Sequence, residues 1–212
     1  MNNRFVLVLA ACVVVFFGLL VFNKKDAGAP TANVQPTNHV EGKGTTGVTL
    51  VEYGDFECPG CGRFYPIVKQ VKEKYGDQIT FQFRNFPLTQ IHKNAMAAHR
   101  AAEAAEKQGK FWEMHDMLYQ NQSSWAGSVT SNPNPIFEGY AQQLGLDIDK
   151  FKSDSASSAV NDIIQADIRA GQDLRITSTP TFILDGTKLE DARDTLEYFT
   201  AKIDAAIAAK KQ

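Results

Sequence analysis

The sequence has 212 residues, of which 43% are hydrophobic and 22% are charged. A chain of this size and apolar content can bury one proper core, which predicts one globular domain. The formal net charge of -2 excludes the strongly basic field expected of a nucleic-acid-binding protein, and three cysteines are too few for a disulfide-stapled fold.

The chain begins with an apolar stretch that predicts a membrane segment. Residues 5–22 contain no charged or strongly polar side chain, and basic residues stand on both sides. This stretch would form a helix of about 27 Å, close to the roughly 30 Å hydrocarbon core of a bilayer. Residues 1–22 are therefore predicted to be a retained signal anchor, one N-terminal transmembrane helix. Cleavage after Ala29 and lipid attachment at Cys12 stay open as alternatives.

The charges around this segment are nearly balanced, with Arg4 before it and Lys24 and Lys25 after it. A short tail before a single apolar helix usually stays inside the cell, which predicts export of the following domain. The predicted localisation is the cell membrane, single-pass, with the catalytic domain on the extracytoplasmic side. Residues 23–37, rich in Ala, Gly, Pro, Thr and Asn, are predicted to be a flexible tether.

The next segment predicts a βαβ unit. Residues 48–53 form a short β-type run, and apolar residues then recur at helical spacing, at Phe64, Ile67, Val68 and Val71. This helix is expected to end near Gly76, and residues 79–83 alternate apolar with polar, as in a strand. Two strands joined by a helix over so short a distance are typical of parallel pairing.

The remainder predicts a helical insertion followed by a hairpin. The insertion covers about residues 90–172, with helices expected at 94–107, 111–119, 135–144 and 156–170 and a polar loop at 122–133. Residues 181–184 and 187–189 are predicted to form a β-hairpin with its turn at Asp185-Gly186. A last helix is predicted at residues 193–209. The expected class is α/β, over a domain of residues 38–212.

Cys58-Pro59-Gly60-Cys61 lies between the first predicted strand and the helix that follows. Two cysteines at i and i+3 of a first helical turn can form a disulfide with little backbone movement. The helix N-terminus also favours the thiolate of Cys58. Cys58 is therefore predicted to be the exposed nucleophile, and Cys61 the cysteine that resolves its mixed disulfides, so the pair forms a redox-active disulfide.

Two other interpretations of the cysteine pair are weaker. A zinc site would need about two further ligands, and the histidines show no metal-ligand spacing to the cysteines. A purely structural disulfide across so short a loop would restrain little chain entropy. Neither a metal nor a cofactor is predicted.

Two residues outside the motif strengthen the redox interpretation. Glu52 is a carboxylate in an apolar strand, where burial would raise its pKa and allow proton exchange with Cys61. The alternative is that Glu52 faces solvent at a strand edge. Pro180 immediately precedes a strand, where it is either a plain strand-initiating residue or a cis-proline in a tight turn.

These residues together resemble the thioredoxin superfamily, and specifically its DsbA-like branch. The resemblance rests on Glu52, the Cys-Pro-Gly-Cys motif at a strand-to-helix turn, the helical insertion, and Thr179-Pro180 before a strand. It includes the Tyr-Gly-Asp-Phe-Glu lead-in of residues 53–57 and extends from about residue 39 to the C-terminus.

The resemblance implies a role for each site residue. Cys58 matches the nucleophilic cysteine, Cys61 the resolving cysteine and Glu52 the buried acid. Pro180 matches the cis-proline that packs against the disulfide. Thr179 matches the substrate-binding residue whose backbone pairs with the client chain.

The implied function is that of a membrane-anchored thiol–disulfide oxidoreductase that forms disulfide bonds in exported proteins. Its partners would be reduced or misoxidised exported proteins and a membrane redox partner, either a quinone-linked oxidase or an electron donor. A monomer is expected. Pro59-Gly60 lacks the histidine of strongly oxidising family members, and Thr179 resembles the residue of the isomerase and reductase relatives. A reductase or isomerase, and a non-catalytic binding or chaperone module, therefore stay open.

Overall fold

The computed structural model describes residues 34–211. The predicted membrane segment, most of the predicted tether and Cys12 lie outside the described residues. Within residues 34–211, no helix is both long enough and apolar enough to cross a membrane.

The last four residues of the predicted tether belong to the folded part of the chain. A compact unit begins at Val34. Thr37 is buried, and its main-chain N–H and its hydroxyl donate to the two carboxylate oxygens of Asp167, at 2.8 and 2.7 Å. The folded unit therefore begins before residue 38, the boundary predicted from the sequence.

The described residues form a five-stranded mixed sheet in the order β1-β3-β2-β4-β5. The strands are β1 (His39–Glu41), β2 (Val48–Gly54), β3 (Ile79–Asn85), β4 (Thr181–Leu184) and β5 (Thr187–Lys188). β2 and β3 run parallel and the other neighbouring pairs are antiparallel. The predicted βαβ unit and the hairpin are confirmed, whereas β1 is absent from the sequence-based prediction.

Eight α-helices are described in residues 34–211. They are α1 (Pro59–Tyr75), α2 (Ala95–Glu106), α3 (Phe111–Gln120), α4 (Gln122–Trp125), α5 (Asn134–Gln143), α6 (Ile148–Ala156), α7 (Ser158–Asp173) and α8 (Leu196–Ala209), with a 3-10 turn at Gly76–Gln78. The predicted helical insertion is confirmed, and it contains two helices, α4 and α6, that were not predicted from the sequence.

Two helices begin later in the chain than predicted, because a capping side chain precedes the first residue of each. The Ser157 hydroxyl accepts from the N–H of Val160, so α7 begins at Ser158 and not at residue 156. The Thr195 hydroxyl accepts from the N–H of Tyr198, so α8 begins at Leu196 and not at residue 193. Each cap satisfies a main-chain donor that the first helical turn leaves without a partner.

Alternation along β2 separates two apolar cores. Val48 and Leu50 lie in the larger core, with side chains of α1, α8 and the helical insertion. Tyr53 belongs to a smaller cluster on the other side, against which Val51 and Ile168 of α7 pack. Glu52 lies on the same face of the strand as Val48 and Leu50, because alternate residues of a strand share a face. Its side chain is therefore directed toward the larger core, where α1 lies.

Candidate active site

The two cysteines lie at the N-terminus of α1 and are both free thiols. Cys58 is the N-cap residue in an extended conformation, and Pro59 is the first helical residue, where its missing N–H costs nothing. Cys58 is 8% exposed and Cys61 is fully buried. Cys58 is the outer of the two cysteines, but it is buried and not exposed as the sequence predicted, because it packs beside Thr179 and Pro180. The roles of nucleophile and resolving cysteine stay predictions.

The two thiols differ sharply in acidity. A hydrogen bond from the Cys61 thiol is the main reason that the pKa of Cys58 falls to about 5, and main-chain N–H groups of the first turn also favour its thiolate. Burial opposes these effects and is second in size to the hydrogen bond from Cys61. For Cys61, burial raises the pKa well above its ordinary value. One sulfur is therefore ionised near neutral pH while the other keeps its proton.

Main-chain groups hold both sulfurs in place. The Cys58 sulfur lies 3.4 Å from the carbonyl oxygen of Thr179, to which it donates when it is protonated. The N–H of Asp55 donates to the Cys61 sulfur at 3.4 Å. The N–H of Cys58 in turn donates to the Asp55 carbonyl at 3.1 Å. The residues just before the motif thus form a turn around the inner cysteine.

Glu52 is buried in the central strand, with only 2% of its surface exposed. β2 is flanked by β3 and β4, so the alternative of a solvent-facing position at a strand edge is wrong. Burial raises the pKa of Glu52 to about 8, and the charge of Lys72 opposes that rise. The charge of Glu52 also raises the pKa of Cys61, so the carboxyl and the inner thiol are electrostatically coupled.

The Thr179-Pro180 peptide is cis and lies against the cysteine motif. Antiparallel pairing of Tyr53 with Thr181 brings this segment to the end of β2 from which the motif follows. A Cβ added at Gly60 would lie 3.3 Å from both the Cys58 sulfur and the Cδ of Pro180. Glycine at this position therefore permits close packing between the motif and Pro180.

Three polar side chains support the active-site loop, which joins β2 to α1. They were not identified as functional residues from the sequence. The Gln122 amide donates to the carbonyls of Phe56 and Cys58, at 2.7 and 2.9 Å. Glu57 accepts from the N–H groups of Asn94 and Gly127, at 2.5 and 2.6 Å.

Asp55, fully buried, is the third of these side chains. Its carboxylate accepts from the N–H groups of Glu57 and Leu88, both at 2.8 Å, and lies 2.7 Å from Nδ1 of His92. Two acids directly before the cysteine motif were the available sequence signal, but their partners lie too far along the chain to be inferred.

The described residues contain no group of three or more His, Cys, Asp or Glu side chains that could hold a metal ion. His92 and His99 both approach Asp55, with nitrogen–oxygen distances of 2.7 and 4.0 Å. They thus belong to the polar support of the loop. Chemically, the site offers a thiolate and a second thiol that can take part in thiol–disulfide exchange, with a carboxyl of raised pKa beside them that can hold or release a proton.

The family model described as Thioredoxin matches residues 34–205 of the chain. Among solved structures, alpha-DsbA1 of Wolbachia pipientis superposes with a TM-score of 0.72 at 23% identity, covering 84% of this chain and 95% of that one. BdbD of Bacillus subtilis gives 0.67 at 23% identity, covering 83% and 95%. DsbA2 of Pseudomonas aeruginosa gives 0.62 at 25% identity, covering 81% and 97%.

Curated relatives are much longer proteins. The chain is 36% identical over 174 residues to a protein of Salinispora arenicola named Na(+)/H(+) antiporter NhaA 1, covering 82% of this chain and 25% of that protein. A Salinispora tropica protein named Na(+)/H(+) antiporter NhaA 3 is 35% identical with the same coverage. The chain thus spans about a quarter of the length of these relatives. On the evidence of its family model, the chain belongs to the thioredoxin family, and its fold is similar to those of DsbA proteins.

Proposed function

We propose that this protein is a thiol–disulfide oxidoreductase that forms disulfide bonds in exported proteins. One observation carries the proposal: the outer thiol of Cys58 has a pKa of about 5 and faces a buried partner of raised pKa, Cys61. A thiolate so favoured stabilises the reduced state of the pair, which makes its disulfide a good oxidant. The acidity of Cys58 therefore supports the oxidising direction over the reducing one.

The exchange reaction follows from the two thiols and Glu52. A thiolate of the client attacks the Cys58 sulfur of the disulfide, and the electron pair of the broken S–S bond leaves on Cys61. Glu52, which is protonated at neutral pH because burial raises its pKa to about 8, supplies the proton to Cys61. A second client thiolate then attacks the client sulfur of the mixed disulfide, and Cys58 leaves as its stable thiolate. The client gains a disulfide, and the cysteine pair is left reduced.

Backbone groups beside Cys58 would hold the client. Thr179 presents its main-chain carbonyl 3.4 Å from the Cys58 sulfur, two residues before strand β4 begins. An extended client segment that pairs with this main chain would bring its cysteine to Cys58, as a strand adds to a sheet edge. Pro180 would form the wall against which the mixed disulfide packs.

The cellular setting of the proposal comes from the sequence. The apolar stretch of residues 5–22 would anchor the chain in the cell membrane, with the catalytic domain on the extracytoplasmic side. A quinone-linked membrane partner would then reoxidise the cysteine pair after each turnover. In this setting the protein acts as a single-pass, monomeric enzyme.

Trapping tests catalysis and direction together. In Cys61→Ser, no inner thiol can release a mixed disulfide whose client has no second thiolate in reach, so such exported proteins are expected to accumulate on Cys58. The matched control, Cys58→Ser, should trap none, and a binding or chaperone module would show no difference between the two variants. Thiol alkylation of the wild-type protein in cells gives the direction, because an oxidase rests as the disulfide and a reductase as the dithiol.

A further inference from the structure

Tyr119 carries a buried hydroxyl with no hydrogen-bond partner among the residues described. It lies on α3 and is only 6% exposed. Its ring packs at 5.0 Å from the ring of Phe56, in the active-site turn, and 5.4 Å from the ring of Tyr65. Burial of an unpaired hydroxyl is costly, so such a group calls for an explanation.

The hydroxyl lies beside the residue that precedes the main-chain contact of Cys61. A Cβ added at Gly54 would lie 2.9 Å from the Tyr119 oxygen. The next residue, Asp55, donates its N–H to the Cys61 sulfur at 3.4 Å. The phenol and the inner cysteine therefore lie close to adjacent residues of the chain, Gly54 and Asp55.

The charges near Tyr119 explain what its hydroxyl can do. Burial, and then the negative charges of Cys61, Glu52 and Asp55, raise the pKa of Tyr119 well above its ordinary value. The phenol therefore keeps its proton throughout the working pH range. It is a permanent hydrogen-bond donor in a region where negative charge forms.

We propose that the Tyr119 hydroxyl donates a hydrogen bond to the thiolate that forms on Cys61 when its bond to Cys58 opens. The assignment rests on the exchange reaction proposed above. In that step the incoming sulfur bonds to Cys58, the electron pair of the broken bond passes to Cys61, and Glu52 supplies the proton that finally neutralises it. Tyr119 stabilises the anion before the proton arrives, so it acts directly on a reacting atom.

Other ionisable groups around this hydroxyl define the expected pH dependence. They are Glu52 on β2, Asp55 and Cys58 in the turn, Tyr65 on α1 and His115 on α3. Lys72 on α1 and His99 on α2 are one contact further away, Lys72 near Glu52 and His99 against Phe56. Burial lowers the pKa of His99 to about 3 and also lowers that of His115, so neither histidine gains charge above pH 7. Burial raises the pKa of Glu52 to about 8, so Glu52 is the group that loses its proton as the pH rises from 6 to 9.

The test is Tyr119→Phe, which removes only the hydroxyl, in the oxidised full-length protein treated with excess glutathione. Opening of the disulfide is expected to slow by about tenfold or more, because a hydrogen bond to an anion is lost. The deficit should be largest above pH 8, where Glu52 no longer has a proton to give, and smaller at pH 6. The control is Tyr65→Phe, which removes a hydroxyl from the adjacent stacked ring, one that contacts Gln120 at the surface.

Stability provides a second readout. Tyr119→Phe loses no hydrogen bond in the reduced state, so the variant is expected to be at least as stable as the wild type while opening more slowly. Equal opening rates from pH 6 to pH 9, or an equal deficit in Tyr65→Phe, would overturn the assignment. A loss of stability that accompanies the slower reaction would also overturn it, in favour of a packing role. Failure of the wild type to react at all would refute the proposed function itself.

Discussion

Replacement of Cys58 by serine is expected to destabilise the reduced protein by an amount that depends on pH. The pKa of this thiol falls from 9.0 to about 5 on folding. A depressed pKa contributes stability that is complete above the unfolded value and is lost as the pH falls through the folded value. The contribution grows by about 1.4 kcal/mol per pH unit, which gives roughly 2.7 kcal/mol at pH 7 and almost nothing at pH 4.

The measurement is urea-induced unfolding of the reduced wild type and of Cys58→Ser, at pH 4 and at pH 7. Cys58 is only 8% exposed, so solvent screening does not reduce the expected difference much. Glu52 is present in both proteins, and its own pH dependence largely cancels in the comparison. A stability difference that stays constant between pH 4 and pH 7 would refute the reasoning, because it would mean that folding does not favour the thiolate.

Three further substitutions test individual contacts of the site. Cys61→Ala removes the hydrogen bond that contributes most to the acidity of Cys58. The pKa of Cys58, followed by thiolate absorbance, is expected to rise by about one to two units, and by less in Cys61→Ser, which keeps a donor. Glu52→Gln removes a carboxyl whose pKa burial raises to about 8, a cost that is absent below pH 4. The variant is expected to gain up to about 3 kcal/mol of unfolding free energy at pH 7 while reacting more slowly. Gln122→Ala removes two hydrogen bonds to the active-site loop and is expected to cost about 1–3 kcal/mol in urea unfolding.

Each of these expectations has a contrary result. Equal pKa values for Cys58 in the alanine and serine variants of Cys61 would show that the Cys61 donor is not the cause of the acidity. A Glu52→Gln protein that is less stable than the wild type at pH 7 would contradict the burial cost of the carboxyl. An unchanged stability in Gln122→Ala would mean that its two contacts do not support the loop.

The strand, turn and helix that carry the cysteines were predictable because their signals are local. β2 and α1 show their own apolar periodicities, and the Cys58 motif lies directly between them. A helix N-terminus acts on the nearest sulfur whatever the rest of the fold does. The acidity of Cys58 therefore follows from its immediate neighbours in the chain.

The features that were missed depend on distant partners or weak local signals. β1 has three residues and pairs with β3 about forty residues later. α6 buries a single side chain, Phe151, so its apolar periodicity is faint. The sequence could not decide whether Glu52 is buried or faces solvent at a strand edge, because strand alternation does not reveal that β2 has a neighbouring strand on each side. The contacts of Gln122 with the loop likewise join residues 64 and 66 positions apart.

The most direct test of the account is the reduction potential of the Cys58–Cys61 pair, measured by equilibration with glutathione buffers. A thiolate with a pKa of about 5 stabilises the reduced state, so the account expects an oxidising value between about -120 and -180 mV. A value near about -270 mV, that of thioredoxin, would contradict the proposed direction and identify the protein as a reductase.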